Sequence, residues 1–234
     1  MSFESYVAHC GLSNELSALV HSAGFAEAVA THQHTLNALL QSPELLDIAV
    51  QWQFKVPELG EGGACSLFGI LADEPYDLTA ILGGVTAQSQ QLLAKATTVV
   101  QYYRQHSQSH WFGVYQARVN PQGERVLVKL AYFGAESRAE FPLTAEFAQI
   151  SNNSSVGLSG RGRIINDVEA YVASGGEYYT CDPKVQAEAC LPVFDEQGEV
   201  IGIIDSEAFA KEFFSGQELA LLLAVTTTLS AVLA

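Results

Sequence analysis

Two parts of the chain alternate apolar and polar residues with a period of two. Residues 111–119 and 125–133 flank the turn NPQGE, and residues 185–194 and 200–208 flank the turn DEQGE. This alternation on both sides of a turn rich in Asn, Asp and Gly is typical of a β-hairpin. The sequence therefore predicts two hairpins that belong to an antiparallel sheet.

Elsewhere apolar residues recur at spacings of three and four, which is the period of an amphipathic helix. This spacing predicts helices within 13–50, 77–105 and 215–233, with a Pro/Gly-rich break at 56–65. The order helix, hairpin, loop, hairpin, helix predicts an α+β fold in which the antiparallel sheet packs on helices.

Finer boundaries follow from the same patterns. The first region is expected to hold three helices, one beginning at Ser13, one at 26–40 and one at 43–52. Residues 134–163 are rich in Ser, Asn and Gly and are expected to be irregular, while residues 163–168 are expected to form a short strand that runs into a turn.

Composition and charge restrict the class of protein. The chain has 234 residues, 48% of them hydrophobic, with 11 basic and 26 acidic residues and a formal net charge of −15. This charge disfavours binding to nucleic acid or to an anionic membrane surface. No apolar run approaches the roughly 18 residues that span a bilayer, and the N-terminus lacks the features of a secretory signal. We therefore expect a cytoplasmic protein that binds neither nucleic acid nor membrane.

The cysteine and histidine spacings predict neither structural disulfides nor a metal site. Cys10, Cys65, Cys181 and Cys190 are irregularly spaced and form no CxxC pair. The histidines nowhere follow the spacing of zinc ligands. No metal and no cofactor is expected.

Four segments together resemble the free methionine-(R)-sulfoxide reductase family, whose members have a GAF-type domain. These segments are WFGVY at 111–115, INDV at 165–168, YTCDPKVQAEACLPVF at 179–194 and GIIDSEA at 202–208. The likeness spans roughly residues 77–233. It implies a GAF-like domain at 76–234, which leaves a helical N-terminal extension at 1–75.

The resemblance also implies a ligand-binding pocket with a reactive thiol. Trp111 and Tyr115 have the spacing of the two aromatic residues that enclose the ligand in the family, and Cys181 with Asp182 matches its catalytic Cys-Asp pair. Residues that match the acids holding the ligand's amino group are Glu188, Asp205 and Glu207, the last in place of the family's Asp and with one extra residue in the preceding turn.

The chain departs from the family in its other cysteines. The family usually carries two more in the stretch that aligns with 139–155, where this chain has none. Cys190 shares a strand face with Glu188, so it is either a buried hydrophobe or a substitute resolving thiol. Direct reduction of a Cys181 sulfenic acid by an external thiol such as thioredoxin is an equal alternative.

Each of these residues also has a purely structural interpretation. Trp111 and Tyr115 could be core aromatics, and acids such as Asp205 often lie in turns. Their joint spacing favours a pocket, because convergent polar groups in an apolar setting mark ligand sites. Carboxylates suit the ammonium of a free amino acid, and aromatic faces suit a sulfur-bearing methyl group.

Three functions remain open from the sequence. The first is reduction of free L-methionine (R)-S-oxide through a sulfenic acid on Cys181. The second is a non-catalytic GAF sensor that binds a small amino-acid-like ligand. The third is an interaction protein in which residues 1–75 form a dimerisation element. The resemblance also implies a homodimer paired through terminal helices.

Overall fold

The computed structural model describes residues 1–60, 66–176, 178 and 182–234. Its helices, in chain order, are α1 (Phe3–His9), α2 (Ser17–Val20), α3 (Ala23–Leu40), α4 (Leu78–Ile81), α5 (Ala87–His106), α6 (Ala145–Ala148), α7 (Asn152–Ser159), α8 (Val168–Ala173) and α9 (Gly216–Leu233). Its strands are β1 (Gln53–Phe54), β2 (Pro57–Leu59), β3 (Ser66–Leu71), β4 (Tyr76–Asp77), β5 (Trp111–Val119), β6 (Arg125–Phe133), β7 (Glu140–Pro142), β8 (Arg163–Ile165), β9 (Ala187–Phe194) and β10 (Val200–Ala208).

A six-stranded antiparallel sheet forms the centre of the fold, with the strand order β7-β6-β5-β10-β9-β8. Both predicted hairpins are confirmed, and the bounds of β5 and β6 are those that the alternation predicts. In the second hairpin the pairing shifts, because Val200 pairs with Phe194 whereas Gly202 pairs with Val193. The predicted α+β fold with an antiparallel sheet is therefore confirmed.

Helices α5 and α9 cover one face of this sheet and bury the main apolar core. Helix α9 is long and apolar enough to cross a membrane, but 67% of its apolar stretch is buried inside the protein. Such a helix is typical of a domain core. The Tyr103 hydroxyl on α5 lies 2.9 Å from Ser206 Oγ, which ties this helix to β10.

The N-terminal helices pack on the same core. Helix α3 lies along α9, and Gln33 Nε2 donates to Thr227 Oγ1 at 2.7 Å. Helix α1 reaches the sheet, where the Tyr6 hydroxyl donates to the Pro192 carbonyl at 2.8 Å. The N-terminal helices therefore dock on the core of their own chain.

The helix predicted at 77–105 is divided into two. Gly83 and Gly84 have φ values of +75° and +96°, which L-residues with a side chain rarely adopt, and they end α4. Thr86 and Ser89 then form a reciprocal capping box that starts α5. The expected continuous helix was therefore wrong across this glycine pair.

Other local expectations were also wrong. Of the three helices expected within 13–50, the first is only the four-residue α2, which begins at Ser17 and not at Ser13. The second is α3, and the third is a single 3-10 segment, Pro43–Asp47. Residues 134–163 are not irregular, because they contain β7, α6 and α7. The break at 56–65 includes β2, and its last part, 61–65, lies outside the described residues.

Replacement of Leu36 by Ala tests the packing of α3. Leu36 is fully buried in the core that α3 shares with α9, whereas Leu39 of the same helix is 40% exposed. We expect Leu36→Ala to lower the free energy of unfolding by about 2–5 kcal/mol, because it leaves a cavity in the core. The matched control Leu39→Ala should change it by no more than about 0.5 kcal/mol in urea denaturation. Equal effects of the two substitutions would contradict this packing.

Candidate ligand-binding site

Three neighbouring strands carry the predicted site residues in rows across the sheet. Glu207 of β10 pairs with Glu188 of β9 on one side and with Trp111 of β5 on the other. In the next row Asp205 pairs with Cys190 on one side. Directly paired residues have Cβ atoms about 4.5–5.5 Å apart. The register alone therefore brings these side chains together on the sheet face that points away from α5 and α9.

This face contributes to a cavity of about 80 Å³. Its remaining described lining comes mainly from residues 135–138, between β6 and β7, and from 151–153 at the start of α7. Such a volume holds several water-sized groups. The sequence-predicted residues that line the cavity are Trp111, Tyr115, Asp182, Glu188, Asp205 and Glu207.

Two aromatic rings form the apolar side of the cavity. The ring centroids of Trp111 and Tyr115 lie 6.3 Å apart, and Trp111 Nε1 donates to the Ala135 carbonyl at 3.0 Å. A Cβ at Gly113 would come within 2.3 Å of Trp111 Cη2, so a side chain there would displace the indole. Both aromatic residues are buried and belong to a small apolar cluster. The two rings therefore pack in an apolar cluster and line the cavity at the same time.

The carboxylates are held by polar side chains from outside the sheet. Glu188 accepts hydrogen bonds from Asn152 Nδ2 and from the Tyr178 hydroxyl. Asp205 Oδ2 accepts one from Asn153 Nδ2 at 3.1 Å. The first turn of α7 is thus fixed to two strands through the acids of the site.

Burial raises the pKa values of all three acids, and neighbouring negative charges raise those of Asp205 and Glu207 further. Burial raises the pKa of Glu207 to about 8, aided by the nearby charges of Glu188 and Asp182. Burial followed by the charges of Glu188 and Glu207 raises the pKa of Asp205 well above its usual value. Burial also raises the pKa of Glu188, despite its hydrogen bonds. The cavity therefore favours protonated carboxyl groups, and a bound cation would favour their ionised form.

Two basic side chains oppose this effect. The charge of Lys129 lowers the pKa of Glu207, and that of Arg163 lowers the pKa of Glu188. Lys129 is fully buried, and its Nζ donates to the carbonyl and hydroxyl oxygens of Ser137 at 2.8 and 2.6 Å. This ammonium therefore also fixes the segment that lines the cavity at 135–138.

Two acceptor atoms of the cavity residues are buried without a donor among the described residues. They are Asp205 Oδ1 and Asn152 Oδ1. A buried acceptor without a protein partner is costly and usually meets a water or a ligand. A primary ammonium carries three donors and would satisfy both atoms.

The predicted cysteines differ in what the structure describes. Cys181 lies outside the described residues, but its neighbour Asp182 lines the cavity. Cys190 is fully buried in the cluster of Trp111 and Tyr115, and burial raises the pKa of its thiol well above the usual value. Its position on the face of Glu188 agrees with the alternation, and its environment favours the interpretation as a buried hydrophobe.

Solved structures of similar fold include two reductases and a sensor. A type II free methionine-R-sulfoxide reductase from Thermoplasma acidophilum is 23% identical, covers 62% of this chain and 94% of its own, and has a TM-score of 0.52. The free methionine-R-sulfoxide reductase from Neisseria meningitidis, in complex with its substrate, is 17% identical, covers 61% and 77%, and has a TM-score of 0.50. A protein described as a GAF sensor, from Burkholderia vietnamiensis, is 15% identical, covers 90% of each chain and has a TM-score of 0.53.

The fold is that of a GAF domain. The chain matches no protein-family model and no curated protein in sequence, so this conclusion concerns the fold alone. Because the Burkholderia protein covers 90% of this chain, its similarity includes part of the N-terminal helices as well as the GAF domain.

Sequence reasoning missed the residues that α7 and the neighbouring loops bring to this GAF site. Asn152 and Asn153 lie in a segment that its composition made look irregular. A signal was present, since Ser151 caps the first turn of α7 and Gly160 ends it with a left-handed φ of +65°. Ser before and Gly after a short run are the usual boundaries of a helix. Tyr178 gave no comparable signal.

The raised pKa of Glu207 predicts how stability changes with pH. The folded protein holds a proton on this group up to about pH 8, whereas the unfolded chain releases it near pH 4.3. The folded state therefore binds more protons between these values, and the free energy of unfolding falls as pH rises from about 5 to 8. We expect Glu207→Gln to flatten this decline, measured as thermal midpoints at several pH values.

A matched control removes the same charge elsewhere. Glu196 is exposed in the turn between β9 and β10, and Glu196→Gln should leave the decline as steep as in the parent. If the two substitutions flatten it equally, the effect belongs to net charge and not to the cavity.

Proposed function

We propose that the chain binds a free sulfur amino acid in the GAF cavity and reduces L-methionine (R)-S-oxide there, with Cys181 as the nucleophile. The observation that carries the proposal is the convergence of Glu188, Asp205 and Glu207 with two aromatic rings in one cavity. The GAF fold is compatible with this activity but does not select it, because one fold supports many functions.

The charge pattern supports an ammonium-bearing ligand. Three carboxyl groups with raised pKa values repel one another, and a cation among them replaces that repulsion with attraction. The orphaned oxygens of Asp205 and Asn152 supply acceptors for its N–H groups. The indole and phenol rings of Trp111 and Tyr115 suit the methyl and sulfur end by apolar packing and sulfur–aromatic contact.

The chemistry needs one thiol in the site and one dithiol from outside. The Cys181 thiolate attacks the sulfoxide sulfur, and the oxygen passes to the cysteine, so that methionine leaves and a sulfenic acid remains. The oxygen takes up a proton from water during the attack, which gives the neutral sulfenic acid. An external dithiol such as thioredoxin then forms a mixed disulfide with loss of water, and its second thiol restores Cys181.

Direct reduction from outside is the form of recycling that we favour. Cys190 is the alternative resolving thiol, but its burial and raised pKa leave little thiolate to attack a sulfenic acid. Residues 139–155 supply no cysteine, and within them Asn152 and Asn153 instead bind the carboxylates. The proposal therefore assigns all covalent chemistry to Cys181.

A sensor is the second candidate. The absence of cysteine from 139–155 favours it specifically, since a pocket that keeps its anchors and loses recycling would bind the ligand without turnover. Both candidates predict binding, and only the reductase predicts consumption of reductant.

Replacement of Cys181 by Ser tests the reductase. With thioredoxin, its reductase and NADPH, we expect the parent protein to oxidise NADPH when free L-methionine (R)-S-oxide is added and to leave the (S)-epimer unreduced. Cys181→Ser should lower this rate by at least about a thousandfold, because it removes the nucleophile. Calorimetry should show that the variant still binds the sulfoxide.

Cys190→Ala is the matched control for this experiment. We expect it to keep most of the multiple-turnover rate, since an external thiol resolves the sulfenic acid. If it instead yields one methionine per chain and stops, Cys190 is the resolving thiol. A parent protein that binds the sulfoxide without consuming NADPH is a sensor, and one that gives no binding heat contradicts both candidates.

A further inference from the structure

One asparagine of the cavity has an amide whose two ends meet different surroundings. Asn152 lies in the first turn of α7, is 7% exposed and lines the cavity. Its Nδ2 donates to Glu188 Oε1, whereas its Oδ1 is buried without a donor among the described residues. A buried acceptor of this kind usually meets a ligand or a water. Asn152 therefore offers the cavity an acceptor that the described part of the protein does not use.

The bond to Glu188 fixes which end of this amide is left for a ligand. An ionised carboxylate only accepts hydrogen bonds, so the NH₂ end of Asn152 faces Glu188. A bound cation favours that ionised form of Glu188. Rotation of the amide by 180° would place its oxygen against a carboxylate oxygen, which is repulsive. The Oδ1 of Asn152 is therefore held in one orientation when a cation is bound.

Two acids of β10 supply further acceptors near this oxygen. Glu207 pairs directly with Glu188, so it lies in the row to which Asn152 is bonded. Asp205 lies two residues away on the same face of the strand, and its Oδ1 is buried without a donor from the described part of the chain. Its other oxygen accepts from Asn153 Nδ2. The cavity thus offers three acceptors, which is the number of N–H groups on a primary ammonium.

Resting on the proposed function, we infer that Asn152 is a specificity-determining residue whose Oδ1 accepts one N–H of the ligand's ammonium. Asp205 and Glu207 accept the other two. A primary ammonium then satisfies all three acceptors, whereas an N-methylated ammonium keeps the charge but leaves one acceptor without a donor. The site therefore selects primary amino acids over N-methylated amino acids of the same charge.

Two ligands that differ in one N–H group test this inference. The probes are L-methionine (R)-S-oxide and N-methyl-L-methionine (R)-S-oxide, which keeps the positive charge, the carboxylate and the sulfoxide. Calorimetry is carried out on Cys181→Ser, so that neither probe is consumed. We expect the primary probe to bind about 10- to 100-fold more tightly than the N-methylated probe, as for one hydrogen bond to a charged group.

Asn152→Ala in the same background should remove this preference. The affinity for the primary probe should fall by the same 10- to 100-fold, because one of its N–H groups loses its acceptor. The affinity for the N-methylated probe should change by no more than about threefold, since that probe does not use this acceptor and its methyl group fits the space that the amide leaves.

Asn153→Ala is the matched control. It also removes a buried amide that donates to an acid of the site, but its oxygen is not an acceptor in the inferred arrangement. It should weaken both probes by the same factor and keep the ratio of their affinities. Thermal unfolding of each variant checks that α7 and the sheet remain folded.

The outcomes separate this inference from the proposed function. If Asn152→Ala weakens both probes by the same factor, Asn152 acts only through Glu188, and the inference is wrong while the ammonium site stands. The inference is also wrong if the preference disappears because the N-methylated probe gains affinity, which indicates steric exclusion, or if Asn153→Ala removes it too. Equal affinity of both probes for Cys181→Ser has the same meaning. If neither probe binds to folded Cys181→Ser, the proposed function and the inference both fail.

Discussion

The crowding of like charges on one face of the sheet is the constraint on which the site depends. Glu188, Asp205 and Glu207 lie close together because their strands pair in this register, whichever rotamers the three side chains adopt. Burial next to two other acids is unfavourable for each ionised carboxylate. Hydrogen bonds from Asn152, Asn153 and Tyr178 reduce that penalty without removing it. The three acids are therefore held in an arrangement that a bound cation would stabilise.

Much of the sheet could be predicted from the sequence, because a period of two states directly which residues share a face. That rule gives Glu188 and Cys190 a common face, and the strand pairing then sets Glu188, Glu207 and Trp111 in one row. The site residues that the sequence did not predict lie in segments without a periodic pattern of apolar residues. Asn152 reaches the cavity from the start of α7, and Arg138 reaches it from the connection between β6 and β7. Tertiary contacts fix the position of both segments, and local sequence carries little information on such contacts.

In the helical regions, the spacing of apolar residues predicts where helices lie but neither where they end nor what they pack against. The spacing of apolar residues predicts α5 and α9, but it extends the first of these helices across Gly83 and Gly84, where the backbone turns. For residues 1–75 the sequence predicts helices but not what they pack against. In the structure α3 covers the side of α9 that the sheet leaves open. With α3 on one side and the sheet on the other, α9 is apolar nearly all round because it is the centre of a three-layered core.

The pairing of β10 with β9 shifts by one residue between Val200 and Gly202. Ile201 is an extra residue there, a β-bulge, and the positions after it take their facing from their pairing with β9 and β5. Deleting Ile201 would make Val200 and Gly202 consecutive opposite Phe194 and Val193, and Asp205 and Glu207 would keep their partners Cys190 and Glu188. The bulge therefore absorbs a one-residue difference in length between β9 and β10, so the sequence spacing between Glu188 and the two acids of β10 can change by one residue in evolution without moving any of the three to the other face.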